Sequence, residues 1–94
     1  MEGTGKIRQH LRISGSVQGV GFRSRAQQAA GMLGVTGWVK NNWDDTVEME
    51  AQGSREQIDD LLTMVNRGTY VEIERIDRKN IPLEEHETGF RVRD

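Results

Sequence analysis

Residues 7–33 read IRQHLRISGSVQGVGFRSRAQQAAGML, and a change of period inside this stretch decides the fold. Ile7, Leu11 and Ile13 alternate with Arg8, His10 and Arg12, the period of two of a half-buried strand. Ser14 to Gly21 holds three glycines among small residues and reads as a loop. From Phe22 the period lengthens. Phe22, Ala26, Ala29, Ala30 and Leu33 fall on one helical face, Arg23, Arg25, Gln27 and Gln28 point elsewhere, and Gly34 is placed to cap the C-terminus.

Working outward, the spacing predicts a second strand at about Val35–Asn42, an acidic turn at Asp44-Asp45, and a third strand. In that third strand Val47, Met49 and Ala51 face inward and Glu48, Glu50 and Gln52 outward. Strands two and three lie close enough in sequence to form a hairpin. Ser54-Arg55-Glu56-Gln57 is a capping box that opens a second helix, with Ile58, Leu61, Leu62 and Val65 as its apolar stripe and Gly68 closing it. A fourth strand follows over Tyr70–Ile81, with Val71 and Ile73 alternating; Pro82 interrupts, and Phe90 and Val92 mark a short last strand. The order β-α-β, β-α-β, then a tail strand predicts an α+β ferredoxin-like sandwich (βαββαβ plus a short C-terminal strand). Its antiparallel sheet carries two helices on one face and leaves the other open. Residues 1–94 are expected to form a single domain, with 1–6 a loose tail.

The 94 residues are 34% hydrophobic and 30% charged, which suits one small globular domain. There is no cysteine, which excludes disulfides, thiolate chemistry and Cys-based zinc sites. No apolar run approaches the roughly 18 residues of a membrane span, and the start lacks the basic-then-apolar order of a signal peptide. A cytoplasmic monomer is the expectation. The net charge of -2 conceals a division: Gly3 to Trp43 contains no acid, while Asp44 to Asp94 carries most of them. If the first half contributes one loop cluster, that region is suited to an anion; if the halves intermix, the charges neutralise one another.

The segment Gly15-Ser16-Val17-Gln18-Gly19-Val20-Gly21-Phe22-Arg23 carries the chemistry. A glycine-rich loop feeding a helix presents backbone N–H groups at the positive end of the helix dipole, where phosphate binds readily. Arg23 falls in the first helical turn with Arg25 just behind, where positive charge opposes the dipole at about 0.3–1 kcal/mol each. A bound anion removes that conflict. Glycine-rich turns also join strands to helices for steric reasons alone, so the loop by itself leaves both readings open. It is not a Walker loop, since no Gly-Lys-Ser/Thr follows, and it lacks the third glycine of a dinucleotide fingerprint.

Gly15 to Arg23 resembles the acylphosphatase signature Gly-x-Val-Gln-Gly-Val-x-Phe-Arg at every specified position. Gly37-Trp38-Val39-Lys40-Asn41, continued by Val47 and Gly53, resembles the second family pattern. The likeness in element order covers almost the whole chain. It implies a hydrolase that splits acyl phosphates into carboxylate and inorganic phosphate, with no metal or cofactor. Arg23 and loop amides of Ser16, Val17, Gln18, Gly19, Val20, Gly21 and Phe22 would hold the phosphate, and Asn41 would position the attacking water. Small-molecule acyl phosphates and phosphorylated carboxylates on proteins both fit as substrates. One position departs: Asp45 stands where the family pattern has glycine, so a left-handed backbone is expected there at a cost of roughly 1 kcal/mol. The short chain and its start read as a standalone enzyme rather than the acylphosphatase-like domain of a larger carbamoyl-transfer enzyme.

The remaining candidates have plainer readings. His10 alternates with buried residues and His86 lies in an acidic stretch, so both read as surface residues rather than metal ligands. Trp38 is placed to cover the outer sheet face. Trp43 reads as a packing residue, with a place at the site's mouth as the other option. Asp59-Asp60 read as a solvated helix face. Ser14, Ser16 and Ser24 surround the loop, but no histidine or lysine lies nearby in sequence to activate a nucleophile. A non-catalytic anion- or RNA-binding module of the same fold is the rival class. RNA readers stack bases on aromatic residues of the central strands, and strands one and three contain none. Neither nucleic acid nor membrane is expected as a partner.

Overall fold

The computed structural model describes residues 5–94. Five strands and two helices follow in the order β1 (Lys6–Ser16), α1 (Phe22–Leu33), β2 (Thr36–Asn41), β3 (Val47–Ser54), α2 (Arg55–Asn66), β4 (Glu72–Ile81) and β5 (Phe90–Arg93). The expected tail ends earlier than the sequence suggested, because Lys6 already pairs with Ser54; residues 1–4 lie outside the described residues.

The sheet order is β4-β1-β3-β2-β5. Each neighbouring pair among its first four strands is antiparallel, so the two strands of each β-α-β unit run parallel with one strand between them. The last strand departs from the expected antiparallel sheet. β5 runs parallel to β2, with Gly37 opposite Phe90, so the sheet is mixed. Chain direction explains this. β4 ends with Ile81 opposite Arg8, at the end of the sheet where β2 begins. A chain that crosses from there to the far edge must run alongside β2 in the same direction. That crossing also brings the last residues back to the end of the sheet where α1 begins.

One sheet face packs on the helices. Leu11, Ile13, Val39, Val47, Met49 and Ala51 from the strands meet Phe22, Ala26, Ala30, Ile58, Leu61 and Val65 from the helices, and all are buried. Each fully buried large side chain contributes about 1.5–3 kcal/mol. The alternation predicted for β1 and β3 therefore holds.

The opposite face is not fully open. Arg8 points to it, yet is only 2% exposed, because the crossing segment lies over it. Its guanidinium meets Glu50 at 2.9 Å and Glu87 at 2.7 Å. Gln52 clamps the backbone of Glu84, donating to its carbonyl at 3.1 Å and accepting from its N–H at 2.8 Å. Burial alone would lower the pKa of Arg8, but the two carboxylates more than offset it and the net direction is up. His10 lies on this face as expected, with its Nε2 2.6 Å from Glu48. Trp38 also covers it, with the Arg93 guanidinium 4.5 Å from the ring centroid.

At the junction of β1 and the glycine-rich loop the β1–β4 register shifts between Ser14 and Gly15. Gly15 has φ of 123°, and a Cβ there would stand 2.2 Å from the carbonyl oxygen of Glu72. Only glycine lets the two strands close at this bulge.

Candidate active site

Gly21 initiates α1 in a left-handed conformation, φ 80°, with no side-chain cap and no acidic residue in the first turn. The first N–H groups of the helix therefore lack both a capping oxygen and a negative side chain. Arg23, partly exposed, sits in that turn and donates from Nη1 to the carbonyl of Arg93 at 3.3 Å. It has no ion-pair partner among the described residues.

A cavity of about 110 Å³ opens at this helix start, lined by Val17, Gly19, Gly21, Phe22, Arg23, Ser24 and Asn41. Asn41 enters from the last position of β2, opposite Val47 of β3. Its Oδ1 is buried and has no hydrogen-bond partner among the described residues. A buried acceptor without a donor costs about 1–3 kcal/mol, so such an atom calls for a bound donor such as water. The volume is far below the roughly 300–1,000 Å³ of pockets that enclose a whole drug-sized ligand. The cavity accommodates one small anionic group and leaves the rest of a larger molecule outside.

The structure thus brings Arg23 and Asn41 together with Val17, Gly19, Gly21 and Phe22 of the expected loop. Ser16, Gln18 and Val20 do not line the cavity. Gln18 instead acts as a brace, its Nε2 donating to the carbonyls of Asn42 and Thr46, each at 2.8 Å. These bonds tie the glycine-rich loop to the β2–β3 turn that directly follows Asn41. The turn is also held from within. Asn42 Nδ2 donates to Thr46 Oγ1 at 3.0 Å, and Asp44 accepts from Thr46 Oγ1 at 2.7 Å, from the Thr46 N–H at 3.2 Å and from Arg12. The Thr46 hydroxyl and N–H, with Arg12, hold the Asp44 carboxyl down at about 2. Sequence reasoning missed this bracing and the place of Ser24 in the lining. The only sequence signal was the Asx-type spacing of Asp44 and Thr46, which marks a turn but not its attachment.

Asp45 adopts the left-handed conformation expected for it, φ 72°. Trp43 does not pack: it is 96% exposed. A larger hollow of about 410 Å³ lies elsewhere, on the other sheet face, against Trp38 and Glu84 to Thr88. It mixes carboxylates with arginines and lies away from the start of α1. Among the described residues no group of three or more His, Asp or Glu side chains is placed to hold a metal ion. No helix among the described residues is long and apolar enough to cross a membrane.

The Acylphosphatase family model matches residues 9–92. The chain belongs to the acylphosphatase family. An acylphosphatase of Clostridium acetobutylicum is 41% identical over 83 residues, covering 87% of this chain and 91% of its own. One of Thermococcus kodakarensis is 42% identical over 89 residues, covering 93% and 96%. The structure of an acylphosphatase from Coxiella burnetii superposes with a TM-score of 0.83 at 35% identity, over 94% of this chain and 93% of that one. The fold is thus the acylphosphatase form of the ferredoxin-like sandwich, and the chain is an acylphosphatase-type hydrolase.

Proposed function

We propose that the chain hydrolyses acyl phosphates by in-line attack of water at phosphorus. Arg23 and the N–H groups of the Val17–Phe22 loop hold the phosphoryl oxygens, and Asn41 orients the water. The observation that carries this reading is the partnerless Asn41 Oδ1 in the same small cavity as Arg23 and the uncapped helix start. The water oxygen bonds to phosphorus, the bond from phosphorus to the acyl oxygen breaks, and the electron pair leaves on the carboxylate. The proton of the water passes to a phosphoryl oxygen or to solvent. A carboxylate is a weak base and leaves without a proton donor, so positioning and fixed dipoles carry the catalysis. The planar fork of Arg23 suits two phosphoryl oxygens at once. The same reading makes the protein a metal-independent monomer of the cytoplasm that acts on a small acyl phosphate or a phosphorylated carboxylate.

Hydrolysis of benzoyl phosphate in the presence of chelator tests the proposal. Native turnover should persist with chelator. Arg23→Ala should raise KM and lower kcat/KM at least about 100-fold, and Asn41→Ala should lower kcat by about as much. Both variants should keep the native circular dichroism. A folded, inactive native chain would refute the reading, as would an Asn41→Ala variant with native kcat.

A further inference from the structure

We infer that Arg25 and Tyr70 form the acyl-side subsite of the reaction, selecting acyl phosphates whose acyl group is aromatic or extended and apolar. The inference rests on the in-line reading above and names the substrate class of that same site.

The cavity takes the phosphoryl group and a water; the acyl group has to lie on the surface beside it. In-line displacement fixes which side. The attacking and leaving oxygens stand on opposite sides of phosphorus. Asn41 holds the water from β2, and the Arg23 bond to the Arg93 carbonyl also lies on the β2–β5 flank. The acyl oxygen therefore departs toward the other flank, where β1 ends and β4 begins. From β2 to β4 is three strand spacings, roughly 14 Å.

Two exposed side chains belong to that flank. Arg25 lies over the loop after α2: a Cβ at Gly68 would stand 2.7 Å from its Nε. It is exposed and has no ion-pair partner among the described residues, although the second half of the chain is rich in acids. Its position in the first turns of α1 opposes the dipole as Arg23 does, and a departing carboxylate is the anion that relieves it. Tyr70 stands two residues before Glu72, which pairs with Ser16 at the mouth of the glycine-rich loop. It is 83% exposed and held at φ 69°, a conformation that a bulky residue rarely adopts. Strain of this kind collects at functional sites.

The other aromatic residues are engaged or lie on the wrong side. Phe22 and Phe90 are in the core, and Trp38 is stacked by Arg93. Trp43, more exposed still, follows Asn41 by two residues and so belongs to the water's flank. Acyl selection thus falls to Tyr70, whose ring offers a face to an aromatic or apolar group, while Arg25 offers charge to the leaving carboxylate.

Two readouts test the assignment. Tyr70→Ala should reduce the preference for benzoyl over acetyl phosphate, as the ratio of kcat/KM values, about fivefold. Trp43→Ala should leave that ratio native. In the second readout, benzoate is titrated into the chain held with inorganic phosphate, and amide and indole resonances are followed. Shifts should concentrate at Arg25 and Tyr70, and Arg25→Gln should weaken benzoate binding about fivefold while phosphate binding stays native, with Arg25→Lys recovering part of it. This arm needs no turnover, so failure of the hydrolase reading and failure of the subsite separate. Loss of preference in Trp43→Ala, or benzoate shifts centred on Trp43, would overturn the assignment. So would a native ratio in Tyr70→Ala.

Discussion

The two helices begin in opposite ways. At α2, Ser54 accepts from the Gln57 N–H at 3.0 Å, Gln57 Oε1 accepts from the Ser54 N–H at 2.8 Å, and Glu56 adds negative charge to the first turn. At α1, Gly21 offers no side chain, no acid follows, and Arg23 sits where the dipole is already positive. Both helices have twelve residues and both bury an apolar stripe, so the difference is not one of length or core. A start that is capped serves stability. A start left uncapped and made more positive serves a ligand. The two arginines at opposite ends of the sheet repeat the contrast: Arg8 is buried against Glu50 and Glu87, whereas Arg23 has one carbonyl and a cavity.

Removing the cap at α2 is the largest way to sharpen this comparison. Ser54→Ala should cost about 1 kcal/mol in urea unfolding and leave kcat/KM for an acyl phosphate unchanged, since the capping box is remote from Arg23. A loss of activity without a loss of stability would break the contrast. Asp45→Gly should act in the other direction. Glycine accepts φ 72° without a Cβ penalty, so the midpoint of thermal unfolding should rise by the equivalent of up to about 1 kcal/mol. An unchanged or lower midpoint would count against strain at that turn.

The smallest effect is one of pH. Asp44 is held at about 2 by the Thr46 donors and Arg12, below the usual aspartate value of about 3.9. The folded chain therefore holds the ionised form more tightly than the unfolded chain does. That contribution is fully present above about pH 4 and fades as pH falls through about 2. Asp44→Asn should be less stable than native at pH 6, with the gap closing toward pH 2 in a series of thermal melts.

Local patterns made most of the fold legible in the sequence. The period-two run before Gly15, the helical stripe from Phe22 and the capping box at Ser54 each depend on residues within one element. The glycine-rich loop and Arg23 were legible for the same reason, since a helix start and its charge are local. What the sequence hid depends on distant pairings. The direction of β5 follows from where β4 ends, and the burial of Arg8 follows from the crossing segment that β5 requires. Gln18 looked like one more loop residue because its two acceptors lie more than twenty positions away. Trp43 was expected to pack, but the braced turn that carries it stands clear of the core.

The most direct test of the uncapped start is thermal unfolding with and without inorganic phosphate, for the native chain and for Arg23→Gln. Phosphate should raise the native midpoint in a concentration-dependent way, as a ligand of the folded state does. Arg23→Gln should lose most of that response while being at least as stable as native in phosphate-free buffer, because it removes a charge that opposes the dipole. A native midpoint indifferent to phosphate, or an equal response in Arg23→Gln, would contradict the account.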